Sequence, residues 1–247
     1  MGRHLIRKRE LRAIYYSFNE KNKLQKGDIV EYSGSSFNHL MRVVRVRAGE
    51  EILLMDGKGT LAYTKILDIN KNKLIFEIDS KIIINKSTLL NLGICLTKRE
   101  YLDEIIRKAT EIGFNKIFIL NSDYSQKFKI NFDRLDRIIK SAGLQSNNPF
   151  WPEIRDNIPM IDFLKKNSED VICFNNREIK TNKICIRNIE HLLIGPEGGF
   201  SKFENDMLDQ LNVRQVKLPT PILKSSTAIT TGFGYIHGLL SKSDEST

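Results

Sequence analysis

The segment from His191 to Glu204, HLLIGPEGGFSKFE, constrains the fold more than any other part of the chain. It begins with a short apolar run, passes through a proline and three glycines, and continues with Ser201 and Glu204 at capping-box spacing. This order predicts a buried strand, a tight loop and a helix that begins after Ser201. Glycines leave the backbone of the loop approachable, while the carboxylate of Glu197 disfavours a phosphate ligand and permits a cationic one. We interpret Ser201 and Glu204 as helix caps and not as catalysts.

Strands and helices alternate through the C-terminal two thirds of the chain. Apolar runs predict strands at 91–96, 116–120, 170–174, 183–187, 190–194 and 213–218, and helical periodicity predicts helices at 101–113, 132–145, 160–167, 201–211 and 225–240. This alternation predicts an α/β domain with a parallel sheet covered on both faces. Ligands of such sheets bind beyond the carboxyl ends of the strands, where the GPEGG loop and a proline-stiffened loop at 218–226 both fall. We expect these loops to form two walls of one pocket.

Residues 1–84 follow a different pattern. Segments at 12–18, 28–32, 51–56, 60–69 and 73–84, separated by glycine and asparagine turns, predict a small β-barrel. The change of period near residue 85 predicts two domains, 1–84 and 85–247. A helix is also predicted after Ser35 or Ser36, with Phe37 on its apolar face and Arg42 and Arg45 on the other.

Basic residues concentrate in this N-terminal part. Five lysines or arginines lie among residues 1–12, and the whole chain of 247 residues carries a formal net charge of +9. Such patches attract polyanions, which is the usual footprint of nucleic-acid binding. An ordinary solvated face explains the same pattern, so charge alone leaves RNA or DNA binding open.

Several classes of protein are disfavoured by what the sequence lacks. No apolar run approaches the roughly 18 residues that a membrane span needs, and the N-terminus lacks a signal-peptide h-region, so we expect a soluble, cytoplasmic protein. Cys95, Cys173 and Cys185 lie far apart in apolar runs, which predicts core thiols and no metal site. The motifs of P-loop NTPases, dinucleotide-binding enzymes, α/β-hydrolases and zincins are absent from the sequence.

A Ser/His/acid triad is conceivable but disfavoured. It would combine Ser225 or Ser226 with His237. His237 lies in an apolar helix, so we interpret it as a structural residue.

Five segments, in this order along most of the chain, resemble a single family. They are NHLMRVVRVRAGEEI with MDGKG in the N-terminal part, KATEIGFNKI at 108–117, LQSNNPFWPEI at 144–154, IGPEGGFSKFE at 194–204, and LPTPILKSSTA at 218–228. The chain resembles the RsmE-type S-adenosylmethionine-dependent methyltransferases, which modify uracil N3 of a uridine in small-subunit (16S) ribosomal RNA. The resemblance implies an N-terminal PUA-like β-barrel that docks RNA. It also implies a C-terminal SPOUT domain with a deep trefoil knot, in a homodimer.

The resemblance also implies residue roles. S-adenosylmethionine would be held by Leu193, Ile194, Gly195, Glu197, Gly198, Gly199, Leu218, Ile222, Leu223, Lys224 and Thr227. Lys224 is expected to stabilise charge on the uracil, with Gln145 and Ser146 positioning the substrate. The family's basic N-terminal positions correspond to Arg3, His39, Arg42 and Arg45, which would hold phosphates of the ribosomal RNA or of the 30S particle. Neither a metal nor a membrane partner is implied.

The chain departs from the family mainly in the second loop. Lys224 and Ser226 stand where the family has Arg and Glu, and Pro219 replaces a glycine. Leu144 and Asn148 stand where Glu and Arg flank the Gln-Ser pair. Because lysine lacks the rigid fork of a guanidinium, and because N3 must lose its proton, these changes bear on the catalytic groups. Two alternatives therefore stay open: a non-catalytic RNA-binding or ribosome-assembly module, and an enzyme of the same fold acting on another RNA position.

Overall fold

A computed structural model describes residues 11–18, 24–33, 37, 46–70, 73–86, 90–177 and 189–244. Its contacts divide the chain into two compact units, one of residues 1–87 with 140–150 and the other of residues 88–139 with 151–247. No sequence feature predicts that residues 140–150 group with the first unit. The functional domains at 1–84 and 85–247 stay predictions.

The first unit is built on one five-stranded sheet. Its strands are β1 (Ala13–Tyr15), β2 (Ile29–Tyr32), β3 (Glu51–Met55), β4 (Thr60–Ile69) and β5 (Leu74–Ile83), in the order β1-β3-β4-β5-β2. All described pairings are antiparallel except that of β1 with β3, which is parallel. These strands coincide with the five β segments predicted from the sequence.

The sheet curls around its own core. Every strand contributes side chains to one buried cluster, including Ile14 of β1, Phe76 of β5 and Val30 of β2. Because β1 and β2 are the two edges of the sheet, their meeting in one cluster requires the sheet to bend round, as the predicted barrel does. Phe37 is buried in this cluster too, whereas residues 35–36 and 38–45 of the predicted helix lie outside the described part of the chain.

The second unit is a parallel α/β layer structure. Its strands are β6 (Asn91–Cys95), β7 (Lys116–Asn121), β8 (Glu153–Pro159), β9 (Val171–Phe174), β10 (His191–Ile194) and β11 (Arg214–Val216). Its helices are α1 (Arg99–Ile112), α2 (Phe132–Gln145, whose last residues belong to the first unit), α3 (Met160–Asn167), α4 (Lys202–Gln210) and α5 (Ser225–Asp244). The strand order is β11-β9-β10-β6-β7-β8, and all described pairs are parallel.

Both faces of this sheet are covered, as predicted. Leu192 and Ile194 of β10 pack on one face in a cluster with residues of α1, α2 and α5. Leu193, between them, points to the other face and packs with residues of α3 and α4. Cys95 and Cys173 are fully buried in that second cluster, which confirms the prediction of core thiols for these two, while Cys185 lies outside the described residues.

Local signals in the sequence place several helix ends correctly. Gly113 ends α1 in the left-handed conformation, with φ of 95°, and Ser201 caps α4 in a complete capping box with Glu204. β8 was not predicted as a strand. The predicted strand at 183–187 lies outside the described residues, and the trefoil knot stays a prediction. Within the described part of the chain, no helix is both long and apolar enough to cross a membrane.

His191, at the start of β10, should make the protein sensitive to acid. Its ring is buried against Phe118 and Phe163, and burial lowers the pKa of His191 to about 4. Between pH 6.5 and 4 the unfolded state therefore binds the proton more readily, so stability is fully present above pH 6.5 and is lost as the pH falls. We expect the unfolding free energy to fall by about 3 kcal/mol over this window through His191 alone.

Urea denaturation at pH 7, 6, 5 and 4 measures this effect. His191→Leu should flatten the decline relative to the native protein, whatever its stability at pH 7. Parallel declines in the two proteins would contradict the assignment.

Candidate active site

The two predicted loops line one cavity in the second unit. The first loop, residues 195–200, follows β10, and the second, residues 217–224, follows β11 at the same edge of the sheet. The cavity has a volume of about 290 Å³ and is lined by Phe174, Asn175, Asn176, Ile194, Gly195, Pro196, Glu197, Gly199, Phe200, Val216, Leu218, Thr220, Ile222, Leu223, Lys224, Ser225 and Ala228. Its position beyond the carboxyl ends of parallel strands is where open α/β sheets bind ligands.

The first loop owes its shape to glycine. The N–H of Gly199 donates to the carbonyl of Pro196 at 2.9 Å, which closes a tight turn, and Gly199 has φ of +73°. A methyl group on Gly195 would lie 3.0 Å from Cζ of Phe200, so the ring packs closely against the backbone and would have to shift by a few tenths of an ångström to admit a side chain. The carboxylate of Glu197 accepts the N–H of Lys98 at 3.4 Å and lines the cavity. The loop therefore presents one negative charge and open backbone to a ligand.

Most of the predicted cofactor positions line this cavity. They are Ile194, Gly195, Glu197, Gly199, Leu218, Ile222, Leu223 and Lys224. Leu193, Gly198 and Thr227 do not line it. The side chain of Leu193 is buried on the opposite face of the sheet, Gly198 faces Tyr124, and Thr227 is exposed on α5. Contact of any of these residues with a cofactor stays a prediction.

A polar network fixes one wall that the sequence did not point to. Asn175 follows β9, and its side-chain amide donates to Asn205 of α4 at 2.8 Å and to Gln215 of β11 at 3.0 Å. The Arg177 guanidinium pairs with Asp209 and holds the pKa of that carboxyl below its usual range. Asn175 and Asn176 directly follow a predicted strand at its carboxyl end. This position at the end of a strand is the sequence signal that could have pointed to them as cavity residues, since neither belongs to a motif.

The first turn of α4 connects a third loop, residues 121–125, to the first loop, residues 195–200, which we call the glycine loop. Glu204 is buried, with 3% of its surface exposed, and its two carboxylate oxygens accept the N–H of Ser201 and the N–H of Asp123, each at 2.8 Å. The hydroxyl of Ser201 donates to the carboxylate of Asp123 at 2.5 Å. Glu204 is thus a helix cap, as predicted, and also joins residues 121–125 to the start of α4.

Lys224 lines the cavity directly before the start of α5. Its carbonyl accepts the N–H groups of Thr227 and Ala228 at 2.9 and 2.8 Å. Glu104 of α1 pairs with Lys108 at 3.0 Å, and this pair, with smaller effects of Ser226 and Lys224, holds the pKa of Glu104 below its usual range. The carboxylate of Glu104 therefore lies within electrostatic range of Lys224, even though Ser226 stands where the family has a glutamate.

The other predicted site residues lie elsewhere. Gln145 and Ser146 lie at the end of α2, in the segment that belongs to the first unit, and do not line the cavity. The Ser146 hydroxyl donates to the carbonyl of Ala142 at 2.8 Å. The predicted RNA-binding residues Arg3, His39, Arg42 and Arg45 all lie outside the described residues. His237 packs on the ring of Phe233, with the ring centroids 4.2 Å apart, and this supports its interpretation as a structural residue.

Residues 85–237 match the family model of the RNA methyltransferase domain, and residues 32–79 match that of the RNA methyltransferase PUA domain. The first match alone covers more than half of the chain. This chain belongs to the RNA methyltransferase family that this domain model describes. The predicted fold class, a SPOUT-type α/β domain with a small PUA-like β domain, is confirmed.

Known proteins and a solved structure match this chain over most of its length. The ribosomal RNA small subunit methyltransferase E of Rickettsia conorii is 28% identical over 234 residues, covering 91% of this chain and 96% of the relative. The protein of the same name from Buchnera aphidicola subsp. Schizaphis graminum is 27% identical, covering 83% and 89%. The crystal structure of the Neisseria gonorrhoeae enzyme bound to S-adenosyl methionine is 25% identical, with a TM-score of 0.76, and covers 93% of this chain and 98% of that one.

Proposed function

We propose that this chain transfers a methyl group from S-adenosylmethionine to N3 of a uridine in small-subunit ribosomal RNA. The observation that carries this proposal is the cavity between the two loops, in a chain of the RNA methyltransferase family. Two of its relatives, from Rickettsia and Buchnera, are named as methyltransferases of small-subunit ribosomal RNA. The structure from Neisseria contains S-adenosyl methionine.

The residues of the cavity fit this cofactor chemically. Leu218, Ile222 and Leu223 offer an apolar wall for the adenine, and backbone groups of the loops can read its edges. Glu197 contributes a negative charge to the cavity lining, which would suit the positively charged α-amino group and sulfonium centre of the cofactor. When bound, S-adenosylmethionine supplies an electrophilic methyl group.

The reaction at N3 requires removal of its proton and stabilisation of the charge that develops on the uracil oxygens. Lys224 lines the cavity and is the group we assign to this stabilisation. Glu104, which pairs with Lys108, offers a carboxylate within electrostatic range of Lys224. Gln145 and Ser146 are proposed to position the substrate. Among these roles, only the stabilisation of developing charge on the uracil depends on the positive charge of Lys224.

RNA recognition is proposed to begin at the basic N-terminal residues. Arg3, His39, Arg42 and Arg45 would bind phosphates, which gives affinity and register but no base identity. The substrate would be the small-subunit RNA or the 30S particle in the cytoplasm, and the enzyme would act as a homodimer. Cofactor binding by the loops and RNA docking by the N-terminal unit are thus separate tasks.

Two measurements on the purified full chain test the proposal. Titration calorimetry should detect binding of S-adenosylmethionine. S-adenosylmethionine with a tritiated methyl group should then label RNA of small ribosomal subunits that lack the modification, and leave large subunits unlabelled. Absence of cofactor binding would favour a non-catalytic RNA-binding or assembly module, for which the changes at Lys224 and Ser226 are the motivating observation. Label confined to a nucleoside other than uridine would favour an enzyme of the same fold with another target.

A further inference from the structure

We propose that Tyr124 is a stacking platform for an unpaired base of the RNA substrate, next to the site of methyl transfer. The inference rests on the proposed function and adds a specificity-determining residue to it. Tyr124 lies in the loop between β7 and α2, within the second unit, and 55% of its surface is exposed. No sequence motif pointed to it.

The Tyr124 side chain packs against the glycine loop, residues 195–200. A methyl group on Gly198 would be 3.6 Å from Cβ and Cδ2 of Tyr124, so the side chain packs against the Gly198 backbone. The neighbours of Gly198 on both sides, Glu197 and Gly199, line the cofactor cavity. The Tyr124 side chain and the cavity therefore contact adjacent residues of one short loop.

The backbone that carries Tyr124 is held firmly. Asp123 binds Glu204 through its N–H and Ser201 through its carboxylate. On the other side of Tyr124, the Ser125 hydroxyl accepts the N–H of Ser122 at 3.0 Å, and the Ser125 N–H donates to the Ser122 carbonyl at 3.1 Å. An aromatic ring that is exposed on a rigid loop presents a preformed apolar face to a partner, with little entropy left to lose on binding.

Two basic residues follow Tyr124 in the same loop, while the carboxylate of the preceding residue, Asp123, is hydrogen-bonded to Ser201. The basic residues are Lys127 and Lys129, and both are exposed. An enzyme that modifies the Watson–Crick edge of a base must take that base out of pairing, and proteins hold such bases by stacking them on aromatic side chains. The two lysines can meet the phosphates that flank a stacked base. Single-stranded RNA therefore fits this surface better than an apolar protein partner.

The test is equilibrium binding of a fluorescein-labelled oligouridylate by the full-length protein, measured by anisotropy. Tyr124→Ala should weaken binding about 5- to 100-fold, because stacking contributes that much per base. Tyr124→Phe keeps the ring and should bind within about twofold of the native protein. Phe132→Ala, which removes another exposed ring at the start of α2, is the matched control and should leave binding unchanged.

Two further readouts separate stacking from other roles. The salt dependence of oligouridylate binding should keep its slope in Tyr124→Ala, because no phosphate contact is lost. Affinity for S-adenosylmethionine should also stay the same. Unchanged RNA binding, no RNA binding by the native protein, or a fall in cofactor affinity equal to that in RNA affinity would overturn the proposal.

A change of oligomeric state in Tyr124→Ala, seen by light scattering, would also overturn it by assigning the ring to contact between two copies of the chain. Binding is measured without methyl transfer. The loss in Tyr124→Ala can therefore be observed even if the native protein transfers no methyl group, and the two proposals fail separately.

Discussion

Replacing Glu204 by alanine should lower the free energy of unfolding by about 3 kcal/mol, because this buried carboxylate accepts two backbone N–H groups. The change removes the second half of the capping box of α4 and leaves the buried N–H of Ser201 and the part-buried N–H of Asp123 without their acceptor. Each buried donor that loses its partner costs about 1–3 kcal/mol. Thermal unfolding followed by circular dichroism should show a melting temperature about 6–12 °C lower.

Two variants bracket this result. Glu204→Gln keeps the shape of the side chain but turns one acceptor into a donor. Its free energy of unfolding should therefore lie between those of the native protein and Glu204→Ala. Asp206→Ala removes an exposed carboxylate from the same helix and should change stability by less than about 0.5 kcal/mol. Equal melting temperatures for Glu204→Ala and Asp206→Ala would show that the hydrogen bonds from Glu204 to Ser201 and Asp123 contribute no stability.

Replacing Lys224 by methionine should lower kcat about 100- to 1000-fold, because an electrostatic stabiliser acts on charge that develops in the transition state. Methionine keeps most of the length and apolar surface of the side chain, so the walls of the cavity should persist. The affinity for S-adenosylmethionine should therefore change by less than about threefold. Single-turnover methylation of small-subunit RNA at saturating cofactor measures the rate, and calorimetry measures the affinity.

Lys224→Arg is the control for charge, since the family carries arginine at this place. It should retain at least about a tenth of the native rate, and a better fork geometry can raise the rate further. If Lys224 instead binds the carboxylate of the cofactor, Lys224→Met would weaken cofactor binding strongly and leave the rate at saturation unchanged. That pattern would remove Lys224 from the chemistry and assign it to binding.

Those parts of the fold that depend on local sequence were predictable. The capping box at Ser201 and Glu204, the left-handed Gly113 and the five strands of the first unit all follow from short-range patterns and appear in the structure. β8 was missed because its residues alternate between half-buried and exposed positions, which gives the edge of a sheet no continuous apolar run. The parallel pairing of β1 with β3 joins segments whose order along the chain gives no indication of it.

The candidate site shows the same limit. Eight of the eleven predicted cofactor positions line the cavity, since both loops carry motifs at the carboxyl ends of strands. The bonds from Glu204 to Asp123 and from Asn175 to Asn205 join residues that are 81 and 30 positions apart, and each of these side chains also satisfies local needs. Leu193 illustrates the opposite case, because it belongs to the right motif but alternation along β10 buries its side chain on the far face of the sheet.

The most direct measurement of the central proposal is nucleoside mass spectrometry of small-subunit RNA after incubation with the purified protein and S-adenosylmethionine carrying a trideuterated methyl group. The subunits come from cells that lack this modification. We predict trideuterated N3-methyluridine as the product, with little or none formed by Lys224→Met. A trideuterated methyl group on any other nucleoside, or unmodified RNA from a protein that binds the cofactor by calorimetry, would contradict the proposed function.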